Sequence, residues 1–184
     1  KTIIQDLIDT YKTITCAGIA ANQIGYDYQI FIGMKEIEDE IEGETIEKKE
    51  AELSSVLENP YANNYEIYIN PKIDKIDNKS IKLDEEGCLS LPGLMTARER
   101  YDKIKVRYYD INGKVNKMTL SGFLSKLFQH ELDHLNGKLM IDDVEKIENL
   151  YPLEPSEENT KLYRKLYSEY NKIVSQEIES GKRI

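Results

Sequence analysis

Ile3, Ile4, Leu7, Ile8 and Tyr11 recur at helical spacing, which predicts that the chain opens with an amphipathic helix. A small-residue loop, Cys16 to Gln23, leads into a strand-like run from Tyr28 to Gly33. A second strand is predicted from Glu66 to Asn70, halted by Pro71 because proline lacks the N–H a ladder needs. From Lys72 the pattern changes to short strands and turns. Lys103 to Tyr109 alternates with Ile104 and Val106 facing one way, and Asn112-Gly113 is a strong hairpin turn before Val115 to Leu120. A helix is expected from about Ser121 to Leu135, with Phe123, Leu124, Leu127 and Phe128 on its apolar side and Gly137 at its stop. Pro152 and Pro155 separate it from a last helix, about 156–178, capped by Ser156. Leu162, Tyr163, Leu166, Tyr167 and Tyr170 form a stripe on that helix suited to docking on the body. The expected fold class is α+β: short antiparallel or mixed strands around a central helix, with helices at both ends, in one domain spanning 1–184.

Charge first looks like information about partners, because the 184 residues carry a net −9. Most of that excess is local. Between Glu36 and Glu58 there are ten acids and only two bases, Lys48 and Lys49, so this stretch alone contributes −8. It reads as a solvated acidic insertion, about 35–65, between two strands. The near-neutral remainder argues against a nucleic-acid surface built on one basic face, and so against a DNA partner. No apolar run is long enough to span a membrane. Cys16 and Cys88 are too few for a disulfide framework, which points to a reducing compartment and against secretion. The chain opens at Lys1, as a fragment or processed form would.

Candidate chemistry is concentrated in the central helix. Both histidines of the chain fall in His130-Glu131-Leu132-Asp133-His134. Residues four apart share a helix face, so two imidazoles at this spacing can hold one ion, and the intervening glutamate can take a proton from its water. The bland reading is two solvated histidines on a polar face. A catalytic ion usually takes three protein ligands and keeps one position open. Asp133 lies one position round the helix from His134 and is a weak candidate. Cys88, after Gly87, is better, because thiolate binds zinc or ferrous iron well and glycine permits close approach.

Three blocks then appear in order: Gly18-Ile19-Ala20-Ala21-Asn22-Gln23, Glu86-Gly87-Cys88-Leu89-Ser90, and Gln129-His130-Glu131-Leu132-Asp133-His134-Leu135-Asn136-Gly137. Together they closely resemble the signature motifs of peptide deformylases, over roughly Thr10 to Val144 outside the insertion. The resemblance implies an enzyme of N-terminal methionine processing, which hydrolyses the formyl group from nascent N-formylmethionyl peptides and releases formate. It implies one metal ion held by Cys88, His130 and His134, Fe2+ first and Zn2+ second. Glu131 would be the general acid/base, and Gln23 with the Leu89 N–H would face the oxyanion. Gly18 would offer its backbone to the peptide; Ala17, Phe123 and Leu127 would line the methionine pocket. Glu86 matches a buried acid and Arg100 the arginine that pairs with it.

Two positions depart from that pattern. Cys16 stands where such enzymes usually carry a glycine, which implies strain if φ is positive there. Ala17 replaces a larger aliphatic residue and would widen the pocket. Two other readings are an inactive deformylase-like binding protein and an H-E-x-x-H peptidase with its third ligand at Asp142, Asp143 or Glu145. The last helix carries Lys161, Arg164, Lys165 and Lys172, which could touch ribosomal RNA, diluted by Glu157, Glu158, Glu169 and Glu177. The resemblance implies a bacterial cytoplasm, a mitochondrion or a plastid.

Overall fold

The structure, a computed structural model, describes residues 2–35, 59–142, 144, 149–154 and 156–181. Residues 36–58 of the expected acidic insertion lie outside them, as do Asp143 and Glu145. In chain order the elements are α1 (Thr2–Thr13), β1 (Gly18–Ala20), a 3₁₀ turn (Ala21–Ile24), β2 (Ile30–Met34), β3 (Tyr65–Ile76), β4 (Ile81–Cys88), β5 (Leu91–Tyr101), β6 (Lys103–Tyr109), β7 (Val115–Ser121), α2 (Gly122–Leu135), β8 (Leu150–Pro152) and α3 (Glu157–Glu179). The class is α+β, as expected. The chain divides into two compact units, Lys1–Lys82 with Arg100–Leu139, and Leu83–Glu99 with Met140–Ile184.

The first unit is built on an antiparallel sheet of order β1-β2-β3-β6-β7. Side chains on a strand alternate between faces, and the core follows that period of two. Ala20, Phe31 and Tyr68 join Phe128 and Leu135 of α2 in one cluster, while their neighbours Ile19, Ile32 and Ile67 join Leu7 and Tyr11 of α1 in another. Each helix thus packs on one face, α1 only at the β1–β2 end. Phe31 stacks on Tyr68 at 4.4 Å between ring centroids, and Phe128 meets both rings edge-on at 5.3 and 5.4 Å. Such aromatic contacts fix the rotation of α2 on the sheet.

Several local expectations need correction. The stretch Cys16 to Gln23 is not simply a loop: β1 pairs with β2, and the 3₁₀ turn follows. Pro71 does not halt the second strand, because the ladder with β6 shifts register between Ile69 and Lys72 and the irregularity absorbs the missing N–H. Asn70 takes a φ of +49° there, and its N–H donates to the Gln29 carbonyl at 2.7 Å. β5 is eleven residues long, not short. The strand β6 spans the seven residues expected of it, and Gly113 at φ +78° makes the following turn.

In the second unit β4, β5 and β8 form a three-stranded sheet, with β8 pairing antiparallel to β5. Ser156 caps α3 by accepting from the Asn159 N–H at 3.0 Å. The apolar stripe of α3 docks only in part. Tyr163, Tyr167 and Tyr170 are half-buried, whereas Leu162 and Leu166 are 50% and 48% exposed. The tyrosines carry polar tips that satisfy themselves while the rings pack: Tyr167 Oη donates to the Val144 carbonyl at 3.0 Å and Tyr170 Oη to Asp142 Oδ1 at 2.7 Å.

Candidate metal centre

Helix α2 brings the H-E-x-x-H residues onto its inner side. His134 and Glu131 are 4% and 2% exposed, and His130 is half-buried. The two imidazole rings lie 4.9 Å apart at 82°, as i and i+4 positions allow. Side-chain amides, of which only Gln129 is buried, hold the helix in place. Gln129 donates from Nε2 to the Tyr101 carbonyl at 2.8 Å and accepts the Tyr101 N–H at Oε1, 3.1 Å away. Asn22 Nδ2 donates to the His134 carbonyl, and Gln29 Nε2 to that of Leu135 at 3.0 Å. No role for these three amides follows from the motif itself. The signal available was a glutamine and an asparagine inside otherwise chemical blocks.

Glu131 has a close neighbour in Gly18. A Cβ at residue 18 would sit 2.7 Å from Glu131 Oε1 and 2.9 Å from Leu127 Cδ1, so only glycine fits. Gly18 lies in β1, at the edge of the sheet, not in a loop. Gln23 Oε1 accepts the Ala20 N–H at 2.8 Å, which orients its amide. Ala17 is engaged through its carbonyl, which accepts the Met34 N–H at 2.7 Å. Leu127 is buried, whereas Phe123, one turn before it on the same side of α2, is 49% exposed. It sits in the first turn of α2, beside Lys126, whose ammonium lies 5.3 Å from the ring centre.

Asp133 is committed elsewhere, since Arg100 Nη1 donates to its Oδ2 at 2.6 Å. That pairing removes the weaker ligand candidate from contention. In the second unit, Glu86 on β4 is buried beside Arg98 on β5, at 3.7 Å. Gly87 again permits close packing, because a Cβ there would lie 2.9 Å from Met95 Sδ. Cys88 ends β4 half-buried, and Leu89 after it is 46% exposed.

The two cysteines have different characters. Burial and then the Glu131 carboxylate push the Cys16 thiol up to about 12, so it stays protonated and inert near neutrality. Cys16 does not show the strain a left-handed backbone would bring, since Asn70 alone among described non-glycine residues has a positive φ. Donor atoms of Cys88, His130 and His134 all lie within 4.8 Å of one another. One thiol and two imidazoles suit a zinc or ferrous ion with a coordination position to spare.

A helix-borne H-E-x-x-H with a cysteine as the further donor defines a metal-binding hydrolase class. Comparison narrows it. The sequence model of the family described as polypeptide deformylase matches residues 1–150. The peptide deformylase of Aquifex aeolicus is 37% identical over 77% of this chain and 71% of its own. The crystal structure of the peptide deformylase from Thermotoga maritima is 30% identical, with a TM-score of 0.60 over 79% of this chain and 80% of that one. The one from Synechococcus elongatus, solved in complex with actinonin, is 32% identical with a TM-score of 0.53, and the match spans 71% of this chain but 57% of that one. The chain belongs to the polypeptide deformylase family. Its activity is that of a hydrolase removing the formyl group from formylated nascent peptides. No helix among the described residues is long and apolar enough to cross a membrane.

Proposed function

We propose that Cys88, His130 and His134 hold a single ferrous ion, with zinc as the weaker substitute, and that Glu131 is the general acid/base of deformylation in one catalytic domain. The observation carrying this reading is the donor set itself, three atoms within 4.8 Å. When bound, such a cation supplies an activated water and a Lewis acid for the formyl oxygen. Glu131, buried beside His130, takes the proton of the attacking water and returns it to the departing amine, which is too basic to leave unprotonated. Gln23 has its Oε1 committed to Ala20, so its Nε2 is the end that faces developing negative charge. The Leu89 N–H is the second donor, and losing one such donor costs about 10²–10³ in rate.

The peptide is read by main chain and pocket together. Among the described residues β1 pairs with β2 alone, so its outer edge can pair with an extended substrate, and Gly18 contributes its backbone there. Ala17, Phe123 and Leu127 receive the methionine side chain. Glu86 and Arg100 act as supports, through the Glu86–Arg98 pair and the Arg100–Asp133 bond. Lys161, Arg164, Lys165 and Lys172 on α3 are the contact to the ribosome that supplies the nascent chain. The compartment is the bacterial cytoplasm or an organelle that initiates with formylmethionine.

Formate release from a formyl-Met-Ala peptide, by iron-loaded protein prepared anaerobically, tests the chemistry. Glu131→Gln should lower it by about 10²–10⁴. Cys88→Ala should lose the metal as measured by elemental analysis; retention of a stoichiometric ion would move the third ligand elsewhere. Neutralising the four bases of α3 should reduce ribosome co-sedimentation without changing formate release.

A further inference from the structure

The sheet of the first unit has one face that is only partly covered. α1 packs on its β1–β2 end. At the other end, the residues of β6 that point away from the α2 cluster are Lys103, Lys105, Arg107 and Tyr109, between the buried Ile104, Val106 and Tyr108. Register places Lys72 and Lys117 on either side of Arg107, and Lys75 beside Lys105. The result is a row of three cations across three strands, with a row of two next to it. Cross-strand neighbours sit about 5 Å apart, and like charges so placed destabilise a sheet. Arg107 is paired with Asp74 at 3.1 Å, and among the described residues Lys72, Lys75, Lys103, Lys105 and Lys117 form no ion pair.

The ordinary explanation for strand lysines is protection of an open edge. It does not apply to β6, which has β3 on one side and β7 on the other. Nor does composition hint at this face, since the chain as a whole is acidic and its remainder averages near neutral. Grooves run along it, one between Lys72, Arg107 and Tyr109 and another between Lys75, Lys103 and Lys105. Tyr109 is 42% exposed and stands opposite Val115 at the end of the rows.

We propose that this bare half-sheet binds the phosphate backbone of single-stranded RNA, with Tyr109 as a stacking platform for a base. Charge complementarity selects the occupant. Cations fixed at even spacing on rigid strands match a polymer carrying one charge per nucleotide in continuous file, and an exposed aromatic at the end of the file is how sequence-tolerant RNA surfaces gain a second contact. The surface is separate from the metal-site residues and does not rest on the assignment of their roles.

The test is fluorescence anisotropy of the whole protein with a labelled 20-nucleotide single-stranded RNA between 50 and 200 mM salt. Five engaged cations give a slope of log affinity against log salt of about −3.5, at about 0.7 per phosphate. The triple variant Lys105→Gln, Arg107→Gln, Lys117→Gln should bind at least about tenfold more weakly with a slope shallower by about 2, and should release formate at the unaltered rate. Since these substitutions relieve like-charge repulsion and remove one half-exposed ion pair, Arg107–Asp74, the melting temperature should change little; the single variant Lys105→Gln, with a slope change of about 0.7, serves if the triple does not fold. RNA affinity unmoved by either variant would overturn the proposal. So would loss of binding on neutralising Lys161 and Lys165 of α3 instead, or equal affinity for polyglutamate or anionic vesicles.

Discussion

Helices α2 and α3 carry similar apolar periodicity and differ in what it is used for. α2 buries Leu127, Phe128 and Leu135 together with Ser125, Gln129, Glu131 and His134. α3, at twenty-three residues, buries none. The polar residues are what separate them. In α2 each buried amide or hydroxyl meets a backbone group, as Ser125 Oγ does in donating to the Tyr101 carbonyl at 2.6 Å, so polar side chains can enter the core at little cost. In α3 the polar atoms on the inward side are tyrosine hydroxyls at the ends of long rings, and the leucines face outward. A stripe of hydrophobic residues therefore announces a helix, while the buried amide and hydroxyl announce which helix is held rigidly enough to aim two imidazoles.

The largest expected effect on this comparison comes from Phe128→Ala. Phe128 is 1% exposed and wedged edge-on against Phe31 and Tyr68. Its truncation should cost about 3–5 kcal/mol in urea unfolding, because transfer and cavity terms add. A loss under about 1 kcal/mol would mean that α2 is not anchored by this ring.

Gly18→Ala should come next, acting through space and not through propensity. The added methyl meets Glu131 Oε1 at 2.7 Å and Leu127 Cδ1 at 2.9 Å, so either the carboxylate or β1 must shift. Overpacking of this kind costs about 1–3 kcal/mol. Formate release should fall by more than the stability loss explains, and Gly33→Ala, whose Cβ would meet Leu127 Cδ2 at 3.4 Å, is the matched control. Equal activity in the two variants would argue that the Gly18–Glu131 approach has no part in the chemistry.

What could be read from the chain follows the same division. The class, β6, the turn at Gly113, the start and stop of α2 and the Ser156 cap were all legible, because each rests on a local rule of spacing or backbone geometry. The passage of β3 through Pro71 was not, since it depends on a register shift against β6 that no single strand encodes. The exposure of Phe123 was not legible either, because periodicity gives the side of a helix and not how far its first turn is covered. The His-Glu-His set was visible from its spacing alone. Cys88 was visible only as a chemically suitable donor in a matching block, because its distance from the histidines in sequence carries no period. The basic half-sheet was hidden for a further reason: it is assembled from three strands, and charge summed along the chain cannot show it.

Ser156→Ala should lower stability by about 1 kcal/mol, the usual loss when a side chain that accepts the Asn159 N–H is removed from a helix start. Substituting Asp at the same position should restore it, since a carboxylate serves as acceptor and favours the helix N-terminus.

The smallest effect should come from Leu166→Ala, and it is the sharpest test of the contrast between the helices. Leu166 is 48% exposed, one turn from Leu162 and two from Ile173, both equally open. Little burial is lost when the side chain is cut back, and alanine has the higher helix propensity by a few tenths of a kcal/mol. The two terms nearly cancel, so the net change in unfolding free energy should stay within about 0.5 kcal/mol. The same leucine-to-alanine change at the buried Leu135 of α2 should cost about 2–5 kcal/mol. A loss above about 2 kcal/mol for Leu166→Ala, growing with protein concentration, would mean that this face of α3 is covered in solution by a second copy of the chain.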